Sequence, residues 1–169
     1  MRLSVVLSGL VTAIVVLAAD QGSKWWVLHG LHLPEIGQVV ILPVLNFTMV
    51  WNRGVTFGLL TGNSNFAHLA LAVFALAVVI VLAIWLTRTQ RLIIALPVGA
   101  IAGGALGNVA DRLHYGAVVD FIQAHAFGYS WYVFNVADAA IVCGVAALVI
   151  DNLLPGRSDA TASGAKNRG

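Results

Sequence analysis

Four long apolar runs divide the chain: Leu3–Ala19, Phe66–Thr87, Leu92–Ala110 and Trp131–Leu153. Each falls within the roughly 17–25 residues a helix needs to cross a bilayer, so the pattern predicts four transmembrane helices. Between the first and second runs the pattern changes. Residues 20–65 contain alternating stretches, Val39–Leu42 and Leu45–Val50, broken by Pro34, Pro43 and glycines, which predicts a small sheet. Trp25, Trp26 and Trp51 in the same stretch predict an aromatic belt at headgroup level. The expected fold is all-α and membrane-embedded, with four transmembrane helices and a small outward-facing β element between the first two. Residues 1–154 form a single polytopic domain in this reading. The tail, residues 155–169, is rich in Ser, Ala and Gly and is expected to be disordered and cytoplasmic.

The first run has the outline of a cleaved signal peptide, with Arg2 before it and Leu-Ala-Ala at its end. It exceeds the usual apolar core of about 7–15 residues, and Leu17 is large for the position three before a cut, so a retained anchor is expected. Orientation follows from the basic residues. Arg2, Arg88, Arg91, Arg157, Lys166 and Arg168 fall on one side, against Lys24, Arg53 and Arg112 on the other. That bias predicts both termini in the cytoplasm and residues 20–65 outside.

Composition agrees. The 169 residues are 60% hydrophobic and 9% charged, with mean hydropathy +0.92, far from the roughly 25% charged residues of a soluble domain. A net charge of +2 without a basic stripe excludes nucleic-acid binding as a function class. The single cysteine, Cys143, cannot form an internal disulfide and reads as small core filler.

The informative polar residues are two aspartates, Asp120 in VVDFI and Asp138 in FNVADAAI. A carboxylate at membrane depth costs roughly 2.5 kcal/mol or more and persists where it is paired, protonated or used. The third run ends on the outer side near Asp111 to Asp120, and the fourth begins there. Asp138 is expected about 10 Å along it, at 1.5 Å per residue. The acids therefore share one side and a similar depth, and a hairpin through His125–Ser130 can bring them together. Two close acids can share a proton, one acting as base and the other as acid. The competing readings are a turn or cap acid for Asp120 and a structural hydrogen bond within the bundle for Asp138. A cap is less expected for Asp138 because Asn135 already precedes it.

Other polar positions are weighed against plain packing. Asn108 and Asn135 either orient the acids or touch substrate, or else serve as interhelical glue worth about 0.6 kcal/mol. Asn52 and Gly54 open a loop suited to gripping an extended segment, because glycine permits close backbone approach. Arg112 either contacts a substrate backbone or lipid headgroup with its forked donors, or snorkels to the interface beside Asp111. Asp20 and Lys24, at i and i+4, read as a scaffold ion pair. Gly103, Gly104 and Gly107 read as sites of close helix packing. The five histidines show no zinc-ligand spacing. Ser23, Ser64 and Ser130 lack a nucleophile motif, and no lysine falls inside a predicted span to serve as base.

The segments DQGSK (Asp20–Lys24), NRGVTFG (Asn52–Gly58), GGALGNVADRL (Gly103–Leu113), VVDFI and FNVADAAI resemble, in order and context, the five blocks of the bacterial lipoprotein signal peptidases, also called signal peptidase II. One departure is Val55-Thr56, where that family often has small residues. The resemblance implies an aspartyl endopeptidase of the bacterial inner membrane that removes the signal peptide from prolipoproteins, cutting before a diacylglyceryl-modified cysteine. It implies that Asp120 and Asp138 are the catalytic pair and that the block holding Asn52 and Gly54 lies over the site; the residues expected at the substrate are Asn52, Gly54, Asn108, Arg112 and Asn135. No metal or organic cofactor is required, the partners are the lipidated substrate and membrane lipids, and a monomer is expected. The alternatives are a small proton-coupled transporter using the acids as relay sites and a non-enzymatic scaffold. The chain shows no internal repeat, which counts against a transporter built from inverted halves.

Overall fold

The computed structural model describes residues 2–54 and 67–154. The distal half of NRGVTFG, Phe66, Ser64 and the tail from Pro155 lie outside the described residues. The elements run α1 (Arg2–Trp25), a π-helical turn (Trp26–Gly30), α2 (Leu33–Ile36), β1 (Gln38–Leu42), β2 (Leu45–Asn52), α3 (Ala67–Arg88), α4 (Leu92–Tyr115), β3 (Val118–Ala126), β4 (Tyr129–Ser130) and α5 (Val136–Leu153). Among the described residues, α1 with its π turn, α3, α4 and α5 are long and apolar enough to cross a membrane. All four expected spans are present, with revised ends.

Two of those revisions bear on the site. The first helix continues past Ala19 because Asp20 and Lys24 neutralise each other on one face, with nitrogen and oxygen 2.7 Å apart. A lysine therefore does lie inside the first span, contrary to the sequence expectation. The last helix starts at Val136, five residues after the expected Trp131. The apolar residues just before it extend the sheet instead. Trp131 N–H donates to the Ala124 carbonyl at 2.8 Å, and Phe134 exchanges hydrogen bonds with Ile122 at 3.0 and 2.8 Å.

The sheet is larger than expected. Its antiparallel order is β1-β2-β3-β4, so the segment after α4 supplies as many strands as the segment after α1. Val118–Phe121, with β-branched and aromatic residues around the aspartate, runs as a buried strand rather than a loop. Its partner β2 pairs Trp51 with Val119 and Val50 with Asp120. Val119 and Phe121 pack with Val27 and Leu33 in one buried cluster, fixing the sheet to the end of α1.

Helix α4 is central and packs against α1, α3 and α5. Small residues make this possible. A Cβ on Gly99 would strike the Gly9 carbonyl, one on Gly103 the Ala13 carbonyl, and one on Gly107 the Asp20 carboxylate. A Cβ on Gly104 would lie 2.6 Å from the Ala137 carbonyl oxygen. The glycines of the third block are thus packing residues, as their spacing predicts. Val5, Leu82, Leu86, Ala95, Val98 and Ile101 fill the opposite end of the bundle. Large apolar side chains such as Leu3, Phe74, Ile80 and Leu153 stand exposed on the outer helix faces, as a lipid-facing surface requires. Cys143 is exposed on α5 and fills no core, because none of the described residues covers it.

The basic residues of the short turns gather at one end. The Arg2 guanidinium donates to the Thr87 carbonyl at 2.6 and 3.1 Å, and Arg91 pairs with Asp151 at 2.7 Å. The sheet, Asp20, Asp120 and Asp138 occupy the other end.

Candidate active site

Asp120 and Asp138 reach one place from different elements. Asp120 sits on β3, held at the third position of a strand whose neighbours Val119 and Phe121 face the apolar cluster. Asp138 lies in the first turn of α5, not 10 Å along it. Asn135 is the N-cap of that helix, and the two side chains form a reciprocal capping box. Asn135 Oδ1 accepts from the Asp138 N–H at 2.9 Å, and Asp138 Oδ2 accepts from the Asn135 N–H at 3.4 Å. Asp138 is therefore a capping residue as well, contrary to expectation. An N-cap Asn and an acid three residues later satisfy two donors that a helix start leaves unpaired.

Amides connect the two acids. Asn135 Nδ2 donates to Asp120 Oδ1 at 2.7 Å and to Asn108 Oδ1 at 3.2 Å, while Asn108 Nδ2 donates to Asp138 Oδ1 at 2.8 Å. The second oxygen of Asp120 accepts from Asn52 Nδ2 at 2.9 Å. Asn135 is fully buried and Asp120 is 1% exposed, whereas Asp138 is only partly buried. Burial pushes the Asp120 carboxyl up to about 6. The Asn52 bond opposes that shift, the Asp138 charge adds to it, and the Asn135 bond and Lys24 charge oppose it. A carboxyl near 6 beside a second, wetter carboxyl is suited to holding one proton between two groups at neutral pH.

The remaining candidates are close by. The Gly54 N–H donates to Asn52 Oδ1 at 2.9 Å, with Gly54 at φ +72°. A side chain there would be strained and would strike Leu71, so the turn that aims Asn52 at Asp120 needs glycine. Arg112 is half-buried and donates from Nη1 to the Asn108 carbonyl at 3.1 Å. The charges of Asp138, Asp120 and Asp111 act on its guanidinium.

Asp111 departs from its expected role. It is 1% exposed and pairs with Lys24 at 2.7 Å, so it does not snorkel beside Arg112. The helix turns it inward on the face of Asn108, three residues earlier, and that i, i+3 spacing was the available signal. The scaffold pair is thus three-membered, and Gln21, which the sequence reading passed over, joins it through bonds to Asp20 and Asp111. His29 stacks on Trp25 and His32 faces Glu35. Among the described residues no group of three His, Cys, Asp or Glu side chains is placed to hold a metal ion. Ser23 bonds the Asp20 carbonyl.

Fold and site together define a multi-pass membrane protein whose polar centre is a pair of carboxylates held by asparagines. Residues 12–154 match the family model described as signal peptidase (SPase) II, and the chain belongs to that family. It is 46% identical over 148 residues to the lipoprotein signal peptidase of Methylorubrum extorquens (strain PA1), covering 88% of this chain and 86% of that one. It is 43% identical over 150 residues to the lipoprotein signal peptidase of Rhodopseudomonas palustris (strain ATCC BAA-98 / CGA009), covering 86% and 92%. Among solved structures it is similar to a bacterial membrane enzyme determined by the in meso method at 1.9 Å resolution. That match has TM-score 0.76 and 28% identity, and covers 88% of this chain and 94% of the other.

Proposed function

We propose that this chain is the endopeptidase that removes signal peptides from bacterial prolipoproteins, cutting before the diacylglyceryl-modified cysteine, with Asp120 and Asp138 as its catalytic acids. The observation that carries this reading is the amide chain Asp120–Asn135–Asn108–Asp138, which gathers two carboxylates at the sheet end of a membrane bundle. Membership of the family and the names of the relatives support the substrate class.

One acid is ionised and takes a proton from water as its oxygen attacks the scissile carbonyl carbon. The other is protonated and donates to the carbonyl oxygen as the tetrahedral intermediate forms. On collapse the carbon–nitrogen bond breaks, the acid that took the water proton passes it to the leaving amine, and the intermediate's hydroxyl returns a proton to the other acid, restoring the starting pair. No covalent enzyme intermediate forms, and the titration belongs to the pair. Asn52 and Gly54 border the acids from β2, and Arg112 borders them from α4, where its forked donors suit a peptide carbonyl or a lipid headgroup. Both termini lie in the cytoplasm and the acids near the outer face, in line with the basic residues Arg2, Arg88 and Arg91 at the opposite end. A substrate whose signal helix and acyl chains lie in the bilayer then presents its scissile bond at the depth of the pair.

The test is product mapping by mass spectrometry with two prolipoproteins in detergent, identical except for the diacylglyceryl group. Cleavage immediately before the lipidated cysteine, at least tenfold faster than for the unlipidated form, is expected. Equal cleavage of both, or a cut elsewhere, would overturn the substrate assignment.

A further inference from the structure

Beneath the acid pair lies a second charged cluster that the proposed chemistry does not use. Lys24 on α1 places Nζ 2.7 Å from Asp20 Oδ2, 2.7 Å from Asp111 Oδ2 and 3.3 Å from Asn108 Oδ1. All three donors of the ammonium are engaged. Asp20, Lys24 and Asp111 are 0%, 2% and 1% exposed. Gln21 closes the ring, donating to Asp111 Oδ1 at 2.9 Å and to Asp20 Oδ2 and the Gly107 carbonyl at 3.2 Å.

One oxygen of each carboxylate also accepts from a backbone amide. Asp111 Oδ2 accepts the N–H of Val119 at 3.0 Å, and Asp20 Oδ1 accepts the N–H of Ala137 at 2.9 Å. Val119 immediately precedes Asp120 on β3, and Ala137 immediately precedes Asp138 on α5. The strand and the helix that carry the acids are joined near the site by the Asn135 bond to Asp120 and the Phe134–Ile122 pair, and this cluster adds a second tie from below. Strand and helix are each gripped one residue before the acid by a carboxylate, and Lys24 ties those two carboxylates together. A buried polar network with every member satisfied is rigid, and a rigid network can set a distance. For an ion pair kept only for packing, the oxygens facing these two backbone amides have no reason to be so placed.

We infer that the Asp20–Lys24–Asp111 bridge is a spacer that sets the separation of Asp120 and Asp138, which makes Asp111 and Asp20 positioning residues of the acid pair. This rests on the reading of Asp120 and Asp138 as the catalytic acids. Asp120 is faced by Asp138 from α5, Lys24 from α1, Arg112 from α4, the Asn52 amide from β2 and the Asn135 amide at the start of α5. Freed from the bridge, β3 loses its tether at Val119 while keeping its ladder to β2. The acids then lose register with each other without the bundle coming apart.

The experiment compares Asp111→Ala and Asp111→Asn with wild type in detergent, measuring kcat, KM and the pH dependence of kcat/KM on a diacylglyceryl-modified prolipoprotein, with thermal unfolding of each. Asp111→Ala removes the acceptor for Val119 and the partner of Lys24. Asp111→Asn keeps one acceptor. An ångström of misplacement can cost about 100-fold in rate, so kcat of the folded Ala variant is expected to fall about tenfold to 100-fold with KM within about twofold. The two limbs of its pH profile should also draw together, because two acids farther apart couple less. The Asn variant should recover part of both effects. Folded variants with wild-type kcat and wild-type limb separation would overturn the spacer. So would failure of both variants to fold, which would assign the bridge to assembly of the bundle. Asp120→Asn and Asp138→Asn run alongside: full activity in either would sink the catalytic reading itself, an outcome distinct from any result at Asp111.

Discussion

Asn135 carries two separable duties, and replacing it with Ser or Ala takes them apart. Its Oδ1 caps α5 and its Nδ2 donates to Asp120 at 2.7 Å. Serine keeps a good N-cap acceptor and lacks the amide donor; alanine lacks both. Loss of the cap costs about 1 kcal/mol, so thermal unfolding should separate Ala from Ser by roughly that amount. A hydrogen bond to a charged group contributes about 1.5–3 kcal/mol, and roughly 1.4 kcal/mol corresponds to one pKa unit. The lost bond favours the ionised form of Asp120, so its removal raises a carboxyl already at about 6 by about one to two units. The assay is kcat/KM against pH on lipidated substrate. In both variants the limb controlled by Asp120 should move to higher pH, whether that acid serves as base or as acid, while the other limb moves less. If neither limb moves and activity falls only in step with unfolding, Asn135 is a cap and nothing more, and the amide chain between the acids has no chemical role.

Three further outcomes follow from the same geometry. Asp120 is raised from about 3.8 to about 6 on folding, so its contribution is most favourable below pH 4 and is lost as pH rises through 6, a penalty of about 3 kcal/mol at neutral pH. Asp120→Asn should therefore unfold at a higher temperature than wild type at pH 8. That advantage should shrink at pH 5, and an advantage independent of pH would contradict the assigned burial cost. Asn52→Ala removes the other donor to Asp120 from an exposed residue. It should shift the same pH limb upward while leaving the unfolding temperature within about a degree. Gly107→Ala drives a methyl into the Asp20 carboxylate. Overpacking of this kind costs about 1–3 kcal/mol, so a lower unfolding temperature is expected, and an unchanged one would mean that α1 and α4 pack less closely than described.

Hydropathy marks the four spans, because lipid imposes one composition on every helix it surrounds; alternation marks β1 and β2, and the order of the spans puts the two acids at one end of the bundle. Hydropathy misplaces the ends for a physical reason. A window of apolar residues stops at Asp20 and Lys24, yet charges that pair inside the bundle let α1 continue to Trp25. Trp131–Phe134 are apolar enough to read as helix, yet they pair along β3, and strand and helix are not distinguishable in a short apolar run. Asp120 and Asp138 stand out as acids in apolar settings, and Asn52, Asn108 and Asn135 as amides near them, but which amide meets which acid depends on strand register and helix phase. Asp111 was invisible as a partner of Lys24 because nearly ninety residues separate them. Cys143 looked internal only because its neighbours in sequence are apolar, and in a bilayer apolar neighbours say nothing about burial.

The central claim is that Asp120 and Asp138 perform the cleavage together. Its most direct test is cleavage of a diacylglyceryl-modified prolipoprotein by Asp120→Asn and Asp138→Asn, each shown to be folded by thermal unfolding. The account predicts that both folded variants lose cleavage by about 1,000-fold or more, since each acid takes part in a proton transfer worth about 10²–10⁴-fold and neither can serve both roles. A folded variant of either residue that cleaves at the wild-type rate would contradict the acid-pair mechanism.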